Sequence, residues 1–456
     1  MKTKLYQDFE AVSSKQWKQQ IQFELKGLDY NDTLVWESPE GIKVKPFYHQ
    51  DENVTLHNIT SEASHFKIMQ NIFVFDVEKS NKKAKNALSR GAESIRFTIE
   101  NSETSIGKLL EGIDIVKNKI YLNLKFLSID FIENVNQLAA SQKAIITCLI
   151  DPIGQLISDG NWFSTGNNNF DDLNEIANKF QNVAIISINT TIYQNAGANM
   201  VQQLAYSLAH VNEYFNRNEI LNKPITIEIA VGTNYFFEIA KIRALRSLFH
   251  SLAKEYNHHL DCNIVATPSK RNKTLYDYNT NMLRTTTECM SAILGGANEI
   301  SNLAYDAIYH KDNEFGDRIA RNQLLILKEE SYFNAVNNPA DGTYYIENLT
   351  NQLAEKALAL FKDIEANGGL LNQLKEGTIQ KKIAESAQKE QDLFDSGKEV
   401  LLGTNKYPNK NDKMSHDLEL FPFVKIKPRK TLITPIIERR LAEKIEQERL
   451  ESEKTN

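Results

Sequence analysis

From about residue 85 the chain alternates short β-rich runs with helical patterns. The runs are SIRFTI near Ile95, KIYLNLKFLS near Leu122, AIITCLI near Ile146 and VAIISIN near Ile186. They continue as ITIEIAV near Ile227, CNIVAT near Ile264, NEISNLAY near Ile300 and FNAVNN near Val336. Several are almost continuously apolar, the mark of parallel strands buried on both faces. Between them Leu204, Leu208, Val211 and Phe215 form one stripe at helical spacing. Leu245, Leu248, Phe249, Leu252 and Tyr256 form another. Eight strand–helix units over roughly 270 residues predict an α/β chain built as a (β/α)8 TIM barrel. An open doubly wound sheet competes. It would normally place a glycine-rich phosphate turn after its first strand, where Glu100-Asn101-Ser102-Glu103 stands.

The pattern divides the chain into an arm over 1–85, the barrel over 86–345, a helical extension over 346–410, and a polar loop with a charged terminal helix over 411–456. In the arm, Trp17, Ile21 and Leu25 lie four residues apart, and Gly27 stops that helix. Extended segments and turns follow, punctuated by Pro39, Gly41 and Pro46. The arm is too thin in apolar residues for its own core, yet it carries Phe9, Trp17, Phe23, Trp36, Phe47 and Tyr48. Aromatics are enriched at interface cores, so the arm is expected to form a subunit interface. The alternative is that these rings pack on the chain's own barrel helices. In the tail, Ile437, Leu441 and Ile445 sit at spacing four on a charged helix. It is either a solvated end or a narrow stripe that docks on a partner.

Composition narrows the class. With 53 Lys+Arg against 59 Asp+Glu the net charge is -6, which gives no bulk electrostatic case for nucleic acid. No run approaches the roughly 20 apolar residues of a membrane span. The opening MKTKLYQDFE has no apolar stretch of secretory type, so the cytoplasm is the expected location. Cys148, Cys262 and Cys289 are too few and too far apart for a disulfide framework or a CxxC site.

In a barrel, chemistry sits at the C-terminal ends of the strands. There the sequence places Asp151-Pro152 after the third run, Asn189 with Thr190, Thr191 and Ile192 after the fourth, and Gly232-Thr233-Asn234 after the fifth. Thr267-Pro268-Ser269 with Lys270 and Arg271 follow the sixth, and Asn337-Asn338 end the eighth. No histidine stands in this set. Acid–base work by carboxylates usually needs a pair, so Asp151 before Pro152 reads as a turn residue. His258, His259 and Cys262 cluster, but adjacent histidines diverge and chelate poorly. Gly295-Gly296 reads as a helix stop. The residues describe a barrel without a catalyst.

The long motifs resemble one family. SINTTIYQNAGANMVQQLAYSLAHVNEYF at Ser187–Phe215 resembles the fourth barrel strand and following helix of methylmalonyl-CoA mutase. AVGTNYFFEIAKIRALRSLF resembles the next unit, and DYNTNMLRTTTECMSAILGGANEI, RIARNQLLILKEESYFNAVNNPADGTYYIENLT and GTNKY continue in the family's order. The opening WKQQIQFELKGLDYNDTLVWESPEGIKVKPFY and DPIGQL resemble the family's small (beta) subunit. The resemblance implies a non-catalytic chain paired with a large (alpha) subunit. That partner holds adenosylcobalamin and rearranges (R)-methylmalonyl-CoA to succinyl-CoA. Three departures carry the expectation. Thr190, Thr191 and Ile192 stand where catalytic chains of the family have Gly-Tyr-His. HQDENVTLHNIT at His49–Thr60 has no arginine where catalytic chains grip coenzyme A with an arginine-rich segment. His416 stands in SHDLEL, not in the family's Asp-x-His-x-x-Gly cobalamin loop. The chain is thus expected to be a short form without the C-terminal cobalamin-binding-like domain, with no catalytic, cofactor or metal residue of its own. An alternative is the catalytic barrel of a related acyl-CoA mutase with cobalamin on a separate chain. An assembly factor would need a nucleotide-binding loop, and the sequence has none.

Overall fold

The computed structural model describes residues 9–52, 59, 63–163, 168–217, 223–258, 261–425 and 427–455. Eight parallel strands close a barrel: β1 (Lys67–Phe73), β2 (Ser94–Ile99), β3 (Lys119–Leu124), β4 (Ile146–Ile150), β5 (Val183–Asn189), β6 (Ile225–Val231), β7 (Cys262–Pro268) and β8 (Glu299–Ile300). Closure is made by β8, which pairs with both β7 and β1. The open-sheet alternative is excluded. β6 is buried at every position, as expected of a parallel strand covered on both faces.

Two strand assignments change. The barrel begins at Lys67, inside the stretch read as arm, so it starts before residue 86. KIMQNIF hides its strand character because Gln70 and Asn71 interrupt the apolar run. Gln70 receives Arg321 at 2.8 Å and Asn71 takes part in a polar layer inside the barrel. FNAVNN is a turn, not a strand. Val336 is exposed, and Tyr332 and Asn338 have positive φ, which an extended chain does not adopt. Asp151 therefore ends β4, and Thr190 follows β5 instead of a fourth strand.

The helices take their roles from position. α1 (Ser14–Glu24) belongs to the arm, while α2 (Pro152–Asp159), α3 (Met200–Phe215), α4 (Tyr235–Glu255) and α5 (Thr280–Leu294) follow β4, β5, β6 and β7. α6 (Tyr344–Ala366) and α7 (Thr378–Asp395) form the extension, and α8 (Glu443–Thr455) ends the chain. The predicted stripes on α3 and α4 are buried in one core shared with the strands. α6 covers α3 and α4 through Leu349, Leu353, Ala357 and Phe361. Arg243 of α4 fixes its start by pairing with Asp341 and Glu347, each at 2.6 Å. Among the described residues no helix is long and apolar enough to cross a membrane.

The arm has two parts. Its hairpin, Trp36–Glu37 against Lys43–Val44, is anchored on the barrel. Ile42 is fully buried, Trp36 meets Phe237 at 5.8 Å, and Tyr48 meets Tyr345 at 5.1 Å. Glu40 accepts the Met200 N–H at 3.3 Å. For these residues the chain's own helices are the packing partner. α1 differs: a Ser13–Gln16 capping box starts it, Lys26 and Gly27 end it in the left-handed region, and none of its residues is buried. Trp17 is 50% exposed and Phe23 80%.

The tail corrects another expectation. Leu441 is buried with Phe394 and Leu401, Ile445 packs beside it, and Leu450 joins Leu275, Tyr276, Tyr309 and Met414. Ile437 is exposed. The helix begins only at Glu443, after Ile437 and Leu441, and Leu441, Ile445 and Leu450 pack on their own chain.

Candidate functional site

The natural place for a ligand is the barrel axis and its C-terminal mouth. Here the axis is crossed by side chains. Glu299, at the start of β8, has no exposed surface and accepts from Ser94 Oγ at 2.6 Å, Tyr121 Oη at 3.0 Å and Lys119 Nζ at 3.1 Å. Tyr121 Oη also accepts from Asn263 Nδ2 at 3.0 Å. Since β3 and β7 stand opposite each other, this contact spans the barrel. Burial, then the Glu299 carboxylate, pushes the Tyr121 phenol well above its usual range, so it stays a neutral donor. Met69, Tyr121, Leu149 and Val265 form a buried apolar layer.

A second chord lies nearer the mouth. Arg96 of β2 pairs with Glu228 of β6, again on opposite sides of the barrel. Arg96 Nε donates to Asn71 Oδ1 at 2.8 Å, and Asn71 Nδ2 to Ser301 Oγ at 2.6 Å. The inward positions alternate along each strand, so residues 94, 96 and 98 of β2 and 119, 121 and 123 of β3 stack as polar and apolar tiers.

The rim residues singled out in the sequence hold structure together. Asp151 caps α2: Gly154 N–H reaches its Oδ1 at 2.8 Å, and Asn189 N–H its Oδ2 at 2.8 Å. Tyr214 Oη donates to it at 2.7 Å, and His210 Nε2 lies at 3.0 Å. Burial works to raise this carboxyl, but His210 and the converging hydrogen bonds outweigh it and hold the pKa below its ordinary value. Asp151 is the turn residue it was read to be. His210 was not legible, since a lone histidine within an apolar helix gives no spacing signal. Its other nitrogen faces Tyr193 Oη at 3.4 Å, and it has no exposed surface. This buried cluster ties α3 to β4 and β5 and is closed to any substrate.

Thr190 Oγ donates to the Glu228 carbonyl at 2.8 Å, and Thr191 Oγ to Asn189 Oδ1 at 2.6 Å. Ile192 is turned into the core. These three positions brace β5 against β6 and offer the mouth neither a ring nor a charge. Thr190 also lines a cavity with Gln203, Ser207 and Lys241, between strands and helices. Lys241 is satisfied there by Glu238 at 2.6 Å, Gln194 at 2.8 Å, Gln203 at 2.9 Å and the Ala230 carbonyl at 2.8 Å. Glu238 also accepts the Gly232 N–H at 2.7 Å, and Ser269 Oγ donates to Asn195 at 2.9 Å.

Other candidates disperse. Asn337 accepts from Ser64, which precedes β1, so it lies on the opposite face. Cys262 is buried at the start of β7, also away from the mouth, and His258 stacks beside Tyr256. His259 and much of His49–Thr60 fall outside the described residues. His416 is exposed in a loop, and Gly296, with φ +90, stops α5 as expected. All three cysteines are free and buried; burial pushes the Cys148 thiol up to about 12.

A strap over residues 431–441 runs along the loops that follow β4, β5 and β7. Leu432 N–H reaches the Gly160 carbonyl at 2.9 Å, Ile436 N–H that of Ile157 at 2.8 Å, Arg439 N–H that of Asn195 at 3.0 Å and Leu441 N–H that of Arg271 at 2.9 Å. α8 then locks in place: Glu446 accepts the Leu275 N–H at 2.6 Å and pairs with Arg440 at 2.6 Å. Gly160 has φ +83, and a Cβ there would stand 2.7 Å from the Ile433 carbonyl oxygen, so the strap approaches as only glycine allows.

A family model described as methylmalonyl-CoA mutase matches residues 101–431. The methylmalonyl-CoA mutase small subunit of Porphyromonas gingivalis is 31% identical over 447 residues, covering 90% of this chain and 72% of that protein. The methylmalonyl-CoA mutase of Cereibacter sphaeroides is 37% identical over 234 residues, 49% of this chain and 33% of the relative. The mitochondrial methylmalonyl-CoA mutase of Bos taurus is 27% identical over 459 residues, with 86% of this chain matched to 60% of that enzyme.

Proposed function

Because the chain belongs to the methylmalonyl-CoA mutase family as a small-subunit-like member, we propose that it is the non-catalytic small (beta) subunit of a heterodimeric, adenosylcobalamin-dependent mutase. Its large (alpha) partner performs the isomerisation of (R)-methylmalonyl-CoA to succinyl-CoA in the cytoplasm. The observation that carries this reading is the crossed axis. A thioester substrate threaded through a barrel needs an open bore, and here Tyr121–Asn263 and Arg96–Glu228 span it. Thr191 and Ile192 point the same way, since neither can supply an imidazole or an aromatic shield.

The described residues do not fit a cobalamin at the mouth. The loops after β4, β5 and β7 are occupied by the strap, and His416 is exposed in a loop whose Met414 packs on Leu275, Tyr276 and Tyr309, in the segments after β7 and β8. No step of the reaction is assigned to this chain. Its contribution is mechanical: it holds the partner through the unburied α1. The crossed axis also weighs against a catalytic barrel served by cobalamin on a separate chain. The test is co-expression with the large subunit of the same source, followed by native mass measurement. A one-to-one complex is expected. Two chains that never co-purify would overturn the assignment.

A further inference from the structure

His310 stands between two carboxylates from different parts of the chain. It lies in the segment after β8, with its side chain 24% exposed and its ring centroid 4.3 Å from that of Tyr309. Its Nδ1 lies 3.2 Å from Asp306 Oδ2 of the same segment, and its Nε2 lies 3.4 Å from Asp417 Oδ1 of the tail. Asp306 is buried and also accepts from Asn313 Nδ2 at 2.7 Å, so it is held in place whatever the ring does. Asp417 is half exposed, on the loop over 414–420. An ionised carboxylate only accepts, and a neutral imidazole donates from one nitrogen alone. The other nitrogen would turn its lone pair toward a carboxylate oxygen. Both contacts are hydrogen bonds only when the ring is an imidazolium.

The same loop meets the same segment through bonds that need no histidine. Glu419 N–H and Leu420 N–H reach the Tyr309 carbonyl at 2.9 and 2.8 Å, and Lys311 N–H reaches the Glu419 carboxylate at 2.9 Å. At its start, Met414 N–H and Ser415 N–H reach Glu453 of α8 at 3.0 and 2.9 Å. The other titratable groups near the ring divide simply. Lys311, His416 and Glu419 are exposed, and Asp312 and Asp317 share Lys83 at 3.7 and 2.6 Å. Tyr278 touches Tyr305 and Tyr309, whose phenols burial pushes above their ordinary range, so those two stay neutral. We propose that His310 is a pH-sensitive clip: as the imidazolium it fastens the 414–420 loop onto the segment after β8, and loss of its proton loosens that loop. Burial works to lower the ring's pKa, but the hydrogen bonds and charges of Asp306 and Asp417 outweigh it and hold the value above the ordinary one. The clip's contribution is therefore fully present below the unfolded value of about 6.5, and is lost as pH rises through the folded one. The loop keeps its backbone bonds, so it loosens without leaving.

The experiment is hydrogen exchange of the full chain on either side of the histidine range, at about pH 5.5 and about pH 8.5, with each rate divided by its intrinsic rate at that pH. Protection of residues 415–420 should fall roughly two- to fivefold at the higher pH, the worth of a half-exposed ion pair, while that of α5 stays level. His310→Gln should show the lower protection at both values. Asp417→Asn changes a half-exposed side chain, so it spares the fold, and it should abolish the dependence as well. It should also lower the titration midpoint of His310, read by NMR of the 13C-histidine-labelled chain and assigned by the resonance lost in His310→Gln. Protection of 415–420 that ignores pH, the same pH dependence in both variants, or a His310 midpoint at or below about 6.5 overturns the proposal.

Discussion

Arg96 and Glu228 look at each other across the barrel with side chains 13% and 9% exposed. A buried pair is a weak source of stability, but removing one partner strands the other. Glu228→Leu is therefore expected to lose about 3 kcal/mol in urea unfolding, toward the low end of the 3–5 kcal/mol range because some solvent reaches the pair. Arg96→Met combined with Glu228→Leu should lose much less. Two carboxyls set opposite pH responses. Asp151 is held below its ordinary value, so its contribution is present above the unfolded pKa and is lost as pH falls through the folded one. Glu40 is raised, chiefly by burial with Glu238 adding, so its contribution is present below the unfolded pKa of about 4.3 and is lost as pH rises through the folded value. Melting temperature against pH should thus lose part of its acid-side fall in Asp151→Asn and part of its loss above about pH 4.3 in Glu40→Gln. At this scale the sequence displayed Asp151 as a turn. It did not display the chords, because Arg96 with Glu228 and Tyr121 with Asn263 are pairs of distant residues that only barrel closure brings together.

Seven of the strands stood out as apolar runs, while β1 did not, because its Gln70 and Asn71 serve partners far along the chain. FNAVNN misled for the converse reason: its apolar residues sit in a turn. α1 was legible, but its surroundings were not. An isolated helix shorter than about 12–15 residues is marginal in water, and α1 buries none of its side chains. Hydrogen exchange over residues 14–24 should therefore be fast in the lone chain and slow once the large subunit is bound. Trp17→Ala should weaken pairing roughly tenfold or more, as interface tryptophans do, with little change in the lone chain's melting temperature, since Trp17 is half exposed and its ring meets only Phe47 among the described aromatics. Equal exchange in both states would remove α1 from the interface. The strap offers a separate check. Gly160→Ala forces a left-handed alanine against the Ile433 carbonyl, and should cost about 1–3 kcal/mol and free the tail to limited proteolysis.

For the molecule as a whole, strand–helix rhythm was enough to read a barrel, and the motif series was enough to read the family. What the rhythm could not convey was that the bore is crossed, that the loops after β4, β5 and β7 are strapped by the chain's own tail, and that the arm is anchored from Trp36 to Tyr48 while α1 buries none of its residues. That division also refines where to cut. Removing residues through 50 would extract Ile42 from the core, whereas removing residues through 28 takes no buried residue among those described. The central proposal is that the large subunit does the chemistry and that this chain supports it. Its most direct test is succinyl-CoA formation from (R)-methylmalonyl-CoA with adenosylcobalamin, measured for the purified chain alone and for its complex with the large subunit. The account predicts turnover by the complex and none by the lone chain. Turnover by the lone chain, with free cofactor and no partner, would contradict it.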